Sequence, residues 1–291
     1  MRQWWAHGLL LTTAAVWGLA FVAQRVGMAY VGPLTFNAIR FTLGALVLLG
    51  IGRWRGGSAL PEERRALARS GWLLGSVLFL GSSLQQAGLV YTTAGKAGFI
   101  TGLYVVLVPL AGTLLLHERH GLPLWLGALL AVSGLYLLSV RGVWHMEKGD
   151  LLVLLSTFFW TAHVILVGRL TARHESLALA ARQFLVVAGL SAAAALLWEP
   201  ITWQGMRCAA PAILYGGLIS VGIGYTLQVV AQKHALAAHA AIIMSLESVF
   251  ALLGGALFLH EPLTPRGLGG AALMFGGMLL AQWPGKKPEH P

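Results

Sequence analysis

Shifted by 143 positions, the chain aligns with its own second half without a gap. Trp17 falls on Trp160, Phe41 on Phe184, Leu84-Gln85 on Leu227-Gln228, and His117-Glu118 on His260-Glu261. Gly127-Ala128 and Gly134 fall on Gly270-Ala271 and Gly277, and 15 of the 41 positions 97–137 are identical at this offset. Shared apolar composition alone does not place matches at Gln, His and Glu, so the chain is a tandem duplication that kept its loop lengths. Any fold must hold two copies of one unit.

Each unit carries five apolar runs. They are read at 8–27, 34–52, 71–90, 94–116 and 122–140, and again at 151–169, 177–198, 212–232, 239–259 and 265–283. A chain that is 57% hydrophobic, 10% charged and +0.74 in mean hydropathy belongs in lipid. A run of ~20 residues crosses the ~30 Å hydrocarbon layer as a helix, and the helix satisfies its own backbone there. Arg2 followed by an apolar run resembles a signal peptide, but its register with 151–169 indicates that it is retained. Five is odd, so the second unit must enter from the opposite face. The expected fold is an all-α polytopic membrane protein: ten transmembrane helices as two inverted five-helix repeats. The first repeat is 1–140, an external linker 141–150, the second repeat 151–283 and a cytoplasmic tail 284–291.

Charge orients this arrangement. With both termini cytoplasmic, twelve Lys and Arg lie inside, among them Arg53, Arg55, Arg64, Arg65 and Arg69. Only Arg141, Lys148, Arg207 and Arg266 lie outside. That is a positive-inside bias. It predicts a multi-pass protein of a bacterial-type plasma (inner) membrane, with both termini cytoplasmic. The net charge of +10 then faces anionic lipid, and nucleic acid is not a partner. The solitary Cys208 leaves no internal disulfide and no cysteine metal site.

Inverted repeats around a midplane site are the architecture of alternating-access transporters. The sequence also resembles the EamA-type drug/metabolite transporters. The likeness lies in Trp17-Gly18, in Phe159-Trp160-Thr161-Ala162, and in the stretch from Leu246-Glu247-Ser248 to His260-Glu261, with its first-repeat version from Val105 to Glu118. That resemblance implies small-solute transport, often export of amino acids, metabolites or drugs. Two positions depart from the family pattern: Ser248 stands where many members place Pro, and Leu19-Ala20 replaces a more polar pair.

Ionisable groups inside spans mark a pathway, because each costs roughly 3 kcal/mol or more at the bilayer centre. Glu247 lies eight residues into the ninth span, or roughly 12 Å deep. It must pair with a buried base, carry a proton or face water. Arg40 lies six residues into the second span, roughly 9 Å deep, too far for easy snorkelling. Gln85 and Gln228, and Tyr104 and Glu247, are repeat equivalents. Trp17, Trp160 and Tyr225 are candidates for an aromatic cavity wall or for packing, and His163 for a proton relay or a core histidine. At helix ends, Lys96 and its equivalent His239 are gate candidates. Glu118 and Glu261 are expected to close a turn against the helix dipole, with a gate latch as the alternative. The many glycines serve close helix packing or a dimer seam.

No catalytic set accompanies these residues. Asp150 is the only Asp, so a clustered-Asp metal site for prenyl transfer is excluded. His117-Glu118-Arg119-His120 lacks the spacing of a zinc protease. Neither enzyme activity, metal nor cofactor is expected. A small-molecule substrate and membrane lipid are the expected partners, a proton is a candidate coupling ion, and the chain is monomer or homodimer. Inside the spans Arg40 and other bases outnumber Glu247, favouring a carboxylate-bearing, amino-acid-like solute. An organic-phosphate or nucleotide-sugar exchanger, or a channel, is the alternative.

Overall fold

A computed structural model describes residues 2–55, 61–92, 94–139, 146–258 and 263–283. All regular structure among them is helical: α1 (Arg2–Gly27), α2 (Pro33–Arg55), α3 (Pro61–Tyr91), α4 (Ala94–Gly102), α5 (Tyr104–Leu116) and α6 (Leu122–Ser139) in the first repeat. The second has α7 (Lys148–Leu170), α8 (Ser176–Trp198), α9 (Trp203–Leu214), a π-helical segment (Tyr215–Tyr225), α10 (Thr226–Gln232), α11 (Ala237–Met244), α12 (Glu247–Phe258) and α13 (Pro265–Ala281). Eight of these runs are long and apolar enough to cross a membrane, and Leu122–Leu138 forms a shorter apolar helix. Their outer faces are apolar and open: Leu115 is 74% and Leu196 77% exposed, while Arg40, Gln85, Glu247 and His163 are buried. A polar interior under an exposed apolar coat is the arrangement of a protein solvated by lipid. This is a multi-pass membrane protein.

Three features differ from the continuous spans expected from hydropathy. The arginine-rich connector is mostly helix, because α2 runs on to Arg55 and α3 starts at Pro61. The fourth and ninth spans are each broken, at Leu103 and at Ser245-Leu246. At both breaks the helix tightens to i→i+3 bonds: Leu103 N donates to Ile100 O at 3.2 Å, and Leu246 N to Ile243 O at 3.2 Å. These two bonds are equivalent under the 143-residue shift. The ninth span is therefore interrupted although Ser248, not Pro, follows Glu247. Finally, the middle of the eighth span is π-helical, just after Pro211, which lies inside α9.

The two repeats meet through pairs that map onto each other. In α6 and α13, Gly127 packs on Gly277 and Gly134 on Gly270. The contact sequence runs in opposite directions along the two helices, so they are antiparallel. A Cβ on Gly127 would lie 2.5 Å from Gly277 O, and one on Gly277 2.5 Å from Gly127 O. Phe41 and Phe184, themselves equivalents, meet with ring centroids 5.9 Å apart. Such reciprocal contacts are those of two units related by a pseudo-two-fold axis.

Candidate functional site

The breaks and the π-segment converge on one buried cavity. It is lined by Trp17, Phe21 and Gln24 of α1, Arg40 of α2, Gln85 of α3 and Thr101 and Tyr104 at the fourth-span break. Trp160 of α7, Ser220 and Tyr225 of the π-segment, and Glu247 at the ninth-span break complete it. Its volume is about 40 Å³, room for a few waters and far below the ~300 Å³ of an ordinary ligand pocket.

Local sequence explains how these side chains reach the centre. Trp17, Phe21 and Gln24 are spaced i, i+4, i+7 and share one face of α1. Gly18, beside Trp17, lets α1 press directly onto the start of α12, where a Cβ would strike Glu247 O and Phe250. Ser220 and Tyr225 are five residues apart, the spacing that one face of a π-helix presents. The π-segment is tied to α1 by three bonds: Trp17 Nε1 donates to Ser220 O at 3.3 Å, Thr13 Oγ1 to Gly224 O at 3.2 Å, and Tyr215 OH to Val16 O at 3.0 Å.

Aromatic rings form one wall. Tyr225 lies 4.5 Å from Trp17 and 6.2 Å from Trp160, the latter stacked at 23°. Arg40 is held by Asn37, whose Oδ1 accepts from its Nε at 3.0 Å. Its guanidinium lies 5.4 Å from the Phe36 ring centroid and 5.0 Å from that of Phe41, contacts that hold a cation without neutralising it. Glu247 stands at the first turn of α12, where the helix dipole favours an anion. Its carboxyl interacts with the Tyr104 hydroxyl, although that hydroxyl has no hydrogen bond of ordinary geometry. Tyr225 is within electrostatic reach of both Arg40 and Glu247, yet these two side chains form no ion pair with each other. Gln24 Oε1, Tyr104 OH and Trp160 Nε1 are buried without a protein hydrogen-bond partner. One cavity thus holds a base, an acid and three unsatisfied polar groups, and leaving such groups unmet costs about 1–3 kcal/mol each.

Two pathway candidates are not in this lining. His163 sits behind the aromatic wall, its Nε2 2.9 Å from Gln183 Oε1. Gln228 donates to Gln232 Oε1 at 3.0 Å. Conversely, the lining includes Phe21, Gln24, Thr101 and Ser220, which hydropathy and repeat equivalence do not single out. The α1 pair is legible in the i, i+4, i+7 spacing from Trp17, whereas Ser220 cannot be found with a 3.6-residue period.

Two of the helix-end candidates, Lys96 and His239, fall into inter-repeat contacts. Lys96 Nζ of α4 reaches Glu147 Oε1 at 3.1 Å and Asp150 Oδ2 at 3.3 Å, and Thr92 also bonds Asp150. Lys96 is thus paired across the repeats. Its equivalent, His239, has Nε2 3.0 Å from Ala281 O, and the equivalent of Asp150 is His7, which lies 6.4 Å from the His239 ring and bonds Gln282 at 3.0 Å. The same repeat position therefore closes both ends of the interface, by an ion pair at one end and an imidazole pair at the other. Glu118 follows a left-handed cap at His117 (φ 54°) and lies 3.5 Å from His120 Nε2, closing a turn. His260 and Glu261 lie outside the described residues.

The profile of the EamA-like transporter family matches residues 4–140 and again 147–283, the same 143-residue shift. This chain belongs to the EamA-like transporter family. Among the proteins similar to it, Pseudomonas aeruginosa PA1977, an uncharacterized protein, is 32% identical over 94% of this chain and 93% of its own length. An uncharacterized transporter of Archaeoglobus fulgidus is 30% identical, over 93% and 83% respectively. The threonine/homoserine exporter RhtA of Escherichia coli is 29% identical, over 88% and 84%. A solved crystal structure superposes with a TM-score of 0.80 over 95% of this chain and 96% of its own, at 22% identity, and so shares the fold. The EamA fold thus puts the broken spans of both repeats, the π-segment and the central cavity in a transporter.

Proposed function

We propose that this EamA transporter is a secondary exporter of zwitterionic, amino-acid-like solutes with polar side chains, working by alternating access. The observation that carries the reading is one cavity holding a base and an acid, Arg40 and Glu247, that do not pair with each other. Arg40 offers a donor fork to a carboxylate, a charge-assisted contact worth more than a neutral one. Glu247, with the rings of Trp17, Tyr225 and Trp160 nearby, suits an ammonium. Gln24, Gln85, Thr101 and Ser220 supply the remaining polar lining. A doubly charged phosphate would have one base, Arg40, in the lining. The likeness to a threonine/homoserine exporter supports the same substrate class and the outward direction.

Rocking of one repeat against the other would open the Lys96–Asp150 end and the His7–His239 end in turn. Twelve against four basic residues support cytoplasmic termini in a bacterial-type inner membrane. Counterflow in proteoliposomes tests the substrate: unlabelled hydroxylated or amidated amino acids inside should accelerate uptake of the labelled species. Arg40→Gln should lower that rate by roughly tenfold or more, the loss of one hydrogen-bonded charge. Equal rates for sugar phosphates and amino acids would overturn the substrate class.

Thiol labelling tests orientation and access together. The exposed Cys208 should react with a membrane-impermeant reagent in intact cells. In a Cys208→Ser background, Gln85→Cys should react from one face at a time and be slowed by substrate. Gln228→Cys should stay unreactive. Reaction of Gln228→Cys at the Gln85→Cys rate would place the pathway elsewhere.

A further inference from the structure

A larger cleft lies on the lipid-facing side, between α3 and α8. Its volume is about 410 Å³, and its walls include Gly71, Trp72, Arg182, Leu185, Gly189 and Leu190. Most of this lining is apolar, but Arg182 is exposed within it and has no hydrogen bond or ion pair among the described residues. Arg182 is six residues from the start of α8, roughly 9 Å along the axis, a depth from which a long side chain reaches the interface. On α3, exposed Arg64 and Arg65 stand one turn before Ala68, another cleft residue, on the same face. The floor is open because of Gly189, whose Cβ would meet nothing within 4 Å.

The repeat supplies a control on this feature. Arg182 and Gly189 correspond to Ile39 and Leu46, and Gly71 to Leu214. Packing of the shared fold therefore requires neither the base nor the open floor. Both occur only where the chain also concentrates arginine, on the face where anionic lipid would be met.

We infer that this cleft is a binding site for an anionic phospholipid, its phosphate on Arg182 and one acyl chain lying along Leu185, Gly189 and Leu190. Charge complementarity and the membrane-facing position commit the cleft to lipid, in preference to a second copy of the chain.

Native mass spectrometry of the purified full-length protein, titrated with phosphatidylglycerol or phosphatidylcholine of identical acyl chains, tests this. Wild type should retain phosphatidylglycerol preferentially. Arg182→Gln should lower its occupancy about fivefold, the worth of one basic residue near an anionic surface, and leave phosphatidylcholine unchanged. Gly189→Leu, which fills the floor and keeps the arginine, should lower both, and decides the question by itself if Arg182→Gln fails to purify. No headgroup preference in wild type, or unchanged occupancy in Gly189→Leu, overturns the site. So does a dimer that Gly189→Leu dissociates without changing the lipid count, which assigns the cleft to a second copy.

Discussion

Glu247→Gln should reduce counterflow of a zwitterionic amino acid by roughly ten- to a hundredfold. The exchange keeps size and hydrogen bonding and removes one charge, and a hydrogen bond to a charged group contributes about 1.5–3 kcal/mol. The loss should be specific: a substrate analogue without its amine should lose far less. The groups facing Glu247 are Tyr104 of α5, Tyr225 of the π-segment and, beyond it, Arg40 of α2. None of these supplies a second carboxylate, so Glu247 is the acid that must be ionised to hold an ammonium. Wild-type transport should therefore fall as pH is lowered through the titration of Glu247, and the glutamine variant should lose that dependence. An unchanged rate with an unchanged pH profile would make Glu247 a structural residue of the ninth-span break.

The largest effect on stability is expected at the α6–α13 crossing. Gly134 contacts Gly270 backbone to backbone, and a side-chain carbon at Gly134 would strike Gly270 O and lie 2.8 Å from Met274 Cγ. A backbone oxygen cannot rotate away, so Gly134→Leu must push the repeats apart. Overpacking of this kind costs about 1–3 kcal/mol or more. The apparent melting temperature of the detergent-purified protein should fall by roughly 5 °C or more. Gly269→Ala, on α13 with nothing within 4 Å of the new carbon, is the matched control and should melt like wild type. Equal melting of all three proteins would remove this crossing as the seam of the two repeats.

These two α13 positions, 269 and 270, also show how sequence and structure divide the information. Gly269 and Gly270 are neighbours in the same helix; the repeat singles out Gly270 as the equivalent of Gly127 but does not say what either one meets. Only the rotation of α13 against α6 decides which one meets a backbone. By contrast, the duplication, the five-plus-five spans and the depth of Arg40 and Glu247 are legible directly. Identity at a fixed offset, hydropathy and distance from a span end are properties of position along the chain.

The pair Gln85 and Gln228 marks the boundary most sharply. They occupy one repeat position, and sequence reasoning puts both in the pathway; only Gln85 lines the cavity. The eighth span is π-helical from Tyr215 to Tyr225, whereas the corresponding part of α3 remains α-helical. The wider i→i+5 turn changes the rotational phase of every residue after it, so Gln228 falls outside the lining and bonds Gln232 one turn on, while Ser220 and Tyr225 fall within it. Pro211 and the glycines of 216–224 permit that geometry, but hydropathy with a fixed helical period cannot register it. The duplicated chain determined that two equivalent units would pack against each other within a membrane. Helix phase and backbone approach, which exist only once the units are packed, decided which residues of each unit meet at the centre.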